Sequence, residues 1–248
     1  MRSLLLLWKD TRMIVLVAVC AAIYAATLIA FKTAIPLIPG ITEVRVANIF
    51  PMVLGFLFGP AGAWGLAFGN LLGDIFGGTL TPVSAAGFVG NFLLGYLPYT
   101  LWTNLIPFAE KSYEWRIGNW RSWAAYIMAA LVSSAACAVV ISVVADVLGM
   151  APYAVLSKII LLNNIVGSLI GVVLLIAVYD ITKRQLGLLW TDVMGIDPTE
   201  KRVIHVAGAW LVAASATVGL VAGSFLDFPG ATIGWLSTAG IVIGCLLL

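Results

Sequence analysis

The stretch that decides the fold is residues 47–78, ANIFPMVLGFLFGPAGAWGLAFGNLLGDIFGG, which carries a single charge, Asp74. A bilayer core about 30 Å thick takes about 20 apolar residues as a helix, so this run is too long for one crossing. It is interrupted by Gly59-Pro60-Ala61-Gly62. Glycine suits the end of one helix and proline the first position of the next, and the run reads as two short spans meeting in a tight turn. Its first half, Ala47–Gly59, is about 20 Å long as a helix, contains Pro51 and does not cross the core alone. Short or irregular segments persist at membrane depth where they line a cavity or are buried in protein. This one therefore borders a binding site, is a tilted helix beginning near Val44, or both.

Outward from that stretch, the same ruler finds apolar runs at Met13–Phe31, Phe88–Phe108, Trp123–Leu148, Tyr153–Tyr179, Val203–Phe225 and Ala231–Leu248, for eight membrane segments in all. Of the 248 residues 62% are hydrophobic and 10% charged, with a mean hydropathy of +1.09; a soluble domain carries about 25% charged residues. This composition excludes a cytosolic enzyme and a disordered chain. A net charge of +2, scattered along the sequence, excludes a nucleic-acid binder. Cys20, Cys137 and Cys245 each sit in an apolar run and make no disulfide framework. The expected fold is all-α, a polytopic membrane helix bundle. It divides into a cytoplasmic amino-terminal segment (1–12), a six-span core (13–182), a cytoplasmic connection (183–202) and an appended two-span hairpin (203–248).

Basic residues set orientation. With the amino terminus in the cytoplasm, that side holds Arg2, Lys9, Arg12, Lys111, Arg116, Arg121, Lys183, Arg184, Lys201 and Arg202, as expected of a multi-pass protein of the cell membrane. Lys32, Arg45 and Lys158 fall outside the rule and point to function. Asp197-Pro198-Thr199-Glu200 reads as a capping box opening the seventh span, and Asp227-Phe228-Pro229-Gly230 as the outer turn before the eighth.

Gly65, Gly69, Gly73 and Gly77 are spaced four apart and form one row on a helix face. Aligned glycines predict a close helix crossing, and Asn163, Gly167 and Gly171 repeat the spacing. Asn70 and Asp74 share a face beside the row. With Asn91, Tyr96, Lys158, Asn163 and Asn164 they are uncommon polar groups at membrane depth, where such groups face the bundle interior and mark a ligand or ion path. Other readings stay open: interhelical hydrogen bonding for the amides, solvation at outer helix ends for Asp74 and Asp146, and outward snorkelling for Lys158. The outer loop 32–46 holds two prolines and a glycine, which exclude regular helix from its first half. It is suited to fold over an outward-facing pocket, bringing Glu43 and Arg45 with it.

The chain has no Gly-x-x-x-x-Gly-Lys-[Ser/Thr] loop, no His-Glu-x-x-His, no Gly-x-Ser-x-Gly and one histidine, so the reading is of a non-enzyme with no cofactor and no metal.

The order of an alanine-rich first span, a Pro-rich outer loop ending Glu43-Val44-Arg45-Val46-Ala47-Asn48, then Phe50-Pro51-Met52-Val53-Leu54-Gly55, Leu57-Phe58-Gly59-Pro60-Ala61-Gly62-Ala63-Trp64-Gly65 and Asp74-Ile75-Phe76-Gly77-Gly78 resembles the substrate-binding S component of an energy-coupling factor (ECF) vitamin transporter. The resemblance covers residues 13–182 and is closest from Glu43 to Gly95. It implies a six-helix membrane protein that captures a vitamin or related micronutrient near the outer face. Release then depends on a transmembrane coupling subunit and two ATP-binding subunits. It also implies a binding site among Glu43, Arg45, Asn48, Asn91, Tyr96, Lys158, Asn163 and Asn164, and a coupling-subunit contact on Ala18 and Ala22, which Ala26 extends. The hairpin 203–248 departs from the family's six spans. A self-sufficient secondary carrier and a membrane scaffold without a small ligand are the alternative readings, and the sequence does not name the micronutrient.

Overall fold

The computed structural model describes residues 2–31, 36–38, 42–43, 45–110, 119–197, 203–226 and 228–248. Lys32, Val44, Lys111, Arg116, Pro198, Thr199, Glu200, Lys201, Arg202 and Asp227, which the sequence reading uses, lie outside the described residues, as does the side chain of Glu43.

A short helix α1 (Arg2–Leu6) and a 3-10 turn lead into α2 (Thr11–Phe31). The break between them is held by Asp10, whose Oδ1 accepts the backbone N–H groups of Arg12 at 2.8 Å and Met13 at 3.2 Å. These are donors that a first helical turn leaves open. In the outer loop the chain forms two short antiparallel strands, β1 (Pro36–Ile38) and β2 (Thr42–Glu43). Helix is excluded there as expected, and extended pairing takes its place. A 3-10 turn (Val46–Ile49) then runs into α3 (Phe50–Phe58), followed directly by α4 (Pro60–Phe76). The joint is Gly59, at φ +49°. A Cβ there would lie 2.5 Å from the Trp190 ring, so conformation and space both require glycine.

The chain continues through α5 (Val83–Asn104), α6 (Trp120–Val147), α7 (Tyr153–Asp180), a short α8 (Trp190–Met194), α9 (Val203–Phe225) and α10 (Gly230–Leu247). Each predicted membrane segment has its helix. Among the described residues, α2, α6, α7 with its continuation, α9 and α10 are long and apolar enough to cross a membrane by length and composition.

The glycine row is the seam between α4 and α2. A Cβ at Gly65 would run into Cys20, one at Gly69 would lie 2.9 Å from the Ala21 carbonyl, and one at Gly73 would lie 2.9 Å from Leu28. Gly77 caps α4 beyond this seam. With the two backbones this close, one face of α2 is buried at Val17, Cys20, Ala21, Tyr24 and Leu28, while Ala18, Ala22 and Ala26 face outward.

Helix α6 is the centre of the bundle, enclosed by α5, α7, α9 and α10. It starts from Asn119, whose side chain accepts the Ser122 N–H at 2.9 Å. The connection after α7 contains a packed element: Leu189 and Trp190 are buried, and the Trp190 and Tyr99 rings lie 5.0 Å apart. α9 and α10 pair closely at Gly208, where a Cβ would lie 2.8 Å from the Gly244 carbonyl oxygen, and together they lie against α6 and α7.

Candidate functional site

Polar side chains gather at one end of the bundle. Tyr24, Asn70, Asn91 and Asn164 each lie about two to three turns in from that end, near the carboxyl ends of α2 and α4 and the amino ends of α5 and α7. Asn48 joins them from the 3-10 turn before α3. All five are 0% to 4% exposed, and the half-buried Arg45 enters from the end of the outer loop.

Glycines make the convergence possible. The α2–α4 seam brings Gly69 against Tyr24, where a Cβ would lie 3.0 Å from the tyrosine Cβ. Gly167 and Gly171 leave room for the backbone of Asn48 and Ile49 on the surface of α7, so Asn48 sits within reach of Asn164. At Gly87 a Cβ would lie 2.8 Å from Asn70 Nδ2, which lets the Asn70 amide rest on α5.

The resulting network has two parts. The Tyr24 hydroxyl donates to Asn91 Oδ1 at 2.7 Å, with Asn48 Oδ1 as a second acceptor at 3.2 Å. Asn48 Nδ2 donates to Asn164 Oδ1 at 2.7 Å, and Asn91 Nδ2 to the Gly87 carbonyl at 2.8 Å. In the second part Arg45 Nη1 donates to Asn70 Oδ1 at 3.3 Å, Asn70 Nδ2 to Asp74 Oδ2 at 3.4 Å, and the Thr79 hydroxyl to Asp74 Oδ1 at 3.2 Å. These bonds are longer and weaker. The two parts meet at Gly87, which carries the acceptor for Asn91 and the contact with Asn70.

Several buried donors have no close hydrogen-bond partner among the described residues, Trp64 Nε1 and Asn164 Nδ2 among them. Asn164 is the one in the cluster, and the sulfur of Cys137 beside it is a weak acceptor. A buried donor left unpaired costs about 1–3 kcal/mol, a cost removed when a bound molecule supplies an acceptor. The cluster therefore offers amide donors and acceptors facing several ways, a cation at its rim and a carboxylate behind it. Such a set can hold the polar edges of a small planar molecule. Among the described residues no group of three or more His, Cys, Asp or Glu side chains could hold a metal ion.

Of the residues selected from sequence, the structure brings Arg45, Asn48, Asn91 and Asn164 together, with the half-buried Asn163 adjacent on α7. Tyr96 is elsewhere: its ring stacks on Phe92 at 5.7 Å and its hydroxyl donates to the Cys245 carbonyl at 3.3 Å. Lys158 is exposed, with Nζ 4.8 Å from the centroid of the Phe225 ring, a cation–π contact with α9. Asp146 accepts the Tyr153 backbone N–H at 3.0 Å and caps α7. The sequence does not single out Tyr24, because one tyrosine in an apolar helix carries no sign of its orientation. Asn70 is evident from sequence as a polar group at depth, but its link to Arg45 depends on where the loop ends.

The family model described as QueT transporter matches residues 14–180. No curated protein and no solved structure matches the chain. The match includes every helix that contributes to the polar cluster and stops before α9 and α10.

Proposed function

The chain belongs to the QueT transporter family, S components of ECF transporters, and from that premise we propose that it captures a queuosine precursor at the polar cluster of Tyr24, Arg45, Asn48, Asn70, Asn91 and Asn164. Membership makes it a multi-pass membrane protein of micronutrient transport, in a family of transporters rather than enzymes. A queuosine precursor is a 7-deazaguanine derivative, a flat base with donors and acceptors around its edge. Asparagine amides present paired donors and acceptors suited to such an edge. The observation that carries the reading is the buried Asn164 Nδ2, which has only the weakly accepting Cys137 sulfur beside it, next to three further buried amides. Arg45 faces the accepting part of the base, and the half-buried Asn163 flanks the site.

The cluster lies toward the outer face when the amino terminus is cytoplasmic, as the distribution of basic residues favours. Delivery then requires a transmembrane coupling subunit and two ATP-binding subunits. The exposed Ala18, Ala22 and Ala26 on α2 are the surface for that coupling subunit, since small residues allow close helix crossing in a membrane.

The deciding experiment is native mass spectrometry of the detergent-purified chain incubated with a pool of vitamins and 7-deazaguanine bases. We expect an adduct with a 7-deazaguanine base that is lost in Arg45→Ala. If no base is retained, or if the wild-type and Arg45→Ala proteins retain it equally, the reading fails.

A further inference from the structure

Helices α9 and α10 lie beyond the family match, yet they are joined to α7, which carries Asn164. α7 buries only 33% of its most apolar stretch, against 78% for α6; α6, α3 and the 3-10 turn hold its inner side, and the hairpin adds contacts near its amino end. On one side of Asn164 the Tyr126 hydroxyl donates to the Ser168 carbonyl at 2.6 Å. On the other side the fixed points come from the hairpin. The Tyr153 hydroxyl donates to the Gly219 carbonyl at 3.0 Å, and Ser157 Oγ and Ser224 Oγ lie 2.6 Å apart, both buried.

Three hairpin glycines form a socket for the Tyr153 ring. A Cβ at Gly223 would lie 2.5 Å from Tyr153 Cε1, one at Gly230 would lie 2.5 Å from its Cβ, and one at Gly234 would lie 3.0 Å from its Cε2. Glycines from both hairpin helices thus surround one side chain of α7. Ser157 and Asn164 are seven residues apart and share a face of that helix. A side-chain tip lies about 5–6 Å from a helix axis, so a rotation of about 20° would move the Asn164 amide by about 2 Å. That is enough to break its 2.7 Å bond to Asn48.

We propose that the carboxy-terminal hairpin positions the binding site: by seating Tyr153 and pairing with Ser157 it sets the rotation of α7, and with it the direction in which Asn164 presents its amide. The inference rests on the polar cluster being the substrate site. Tyr153, Ser157 and Ser224 are positioning residues that need not touch the ligand.

The test uses the full chain and three sets of substitutions, the first two also combined. Tyr153→Phe keeps the ring and removes the hydroxyl. Ser157→Ala with Ser224→Ala removes both partners and so leaves neither hydroxyl unpaired. Trp210→Phe removes another hairpin hydrogen bond, from the indole to the Ile106 carbonyl at 2.9 Å, away from the socket. For each we would measure hydrogen exchange across residues 160–171 and binding of 7-deazaguanine. Tyr153→Phe combined with the serine pair should speed exchange in 160–171 and weaken binding about five- to tenfold, the scale of one or two hydrogen bonds, at little cost in melting temperature. Trp210→Phe should change neither. Unchanged exchange, or equal effects from all variants, overturns the inference. If exchange responds but the wild-type chain binds no base, the positioning of α7 stands and the substrate reading falls.

Discussion

Tyr24 ties together two asparagines, one from α5 and one from the 3-10 turn before α3, through one hydroxyl. Tyr24→Phe leaves both acceptors without that donor, and we expect a loss of about 1–3 kcal/mol of stability, read as a lowered melting temperature, with weaker base retention. Lys158→Met should behave differently. Its ammonium lies on the exposed side of α7 over Phe225, so retention of the base should change less than about twofold, and stability by about 0.5–1 kcal/mol. A large loss of binding in Lys158→Met would return this lysine to the site. The contrast shows what a sequence can reveal at this scale. Asn48, Asn91 and Asn164 are conspicuous because amides are rare at lipid depth, whatever they touch. Lys158 is equally conspicuous, but its aromatic partner is far along the chain and cannot be inferred from local spacing. Tyr24 is invisible for the opposite reason: its amphipathic ring fits lipid, interface and core alike.

At the level of helices, close approach decides the outcome of substitutions. Glycine costs up to about 1 kcal/mol relative to alanine in an open helix, so Gly69→Ala would stabilise an isolated α4. In the protein the added methyl meets the Ala21 carbonyl at 2.9 Å and Tyr24 at 3.0 Å, and we expect net destabilisation, measured by thermal unfolding in detergent. Gly167→Ala should act on function more directly. Its methyl would collide with the Asn48 backbone, pushing that residue off Asn164 and reducing base retention more than fivefold. Retention at the wild-type level would show that the 3-10 turn yields without affecting the site. The α4 row was legible because a period of four fixes one face, and the spans because bilayer thickness fixes their length. The strands β1 and β2 were not, since three residues beside prolines carry no usable alternation. Nor was α8, whose buried Trp190 packs on the turn at Gly59 and on the Tyr99 ring, both far away in sequence.

For the whole molecule, the reading assigns capture to this chain and energy to its partners. Reconstituted alone in liposomes, the protein should bind base without accumulating it against a gradient; gradient-driven uptake by the chain alone would instead support a secondary carrier. Ala18→Trp with Ala22→Trp should abolish co-purification with the coupling subunit and leave base retention intact. The hairpin is on the side of α6 and α7, and α2 makes its principal contacts with α4, so the alanine face stays open. This arrangement makes α2 a partition one helix thick. Its inner side carries Tyr24, and its outer side carries Ala22 and Ala26, two residues before and two residues after it. A helix docked outside would have its axis about 8–10 Å from that of α2, with no other element between the two chains. Any tilt or turn that a docked subunit imposed on α2 would therefore arrive at the Tyr24 hydroxyl undiluted, and unlatching the cargo would need no relay through the rest of the protein.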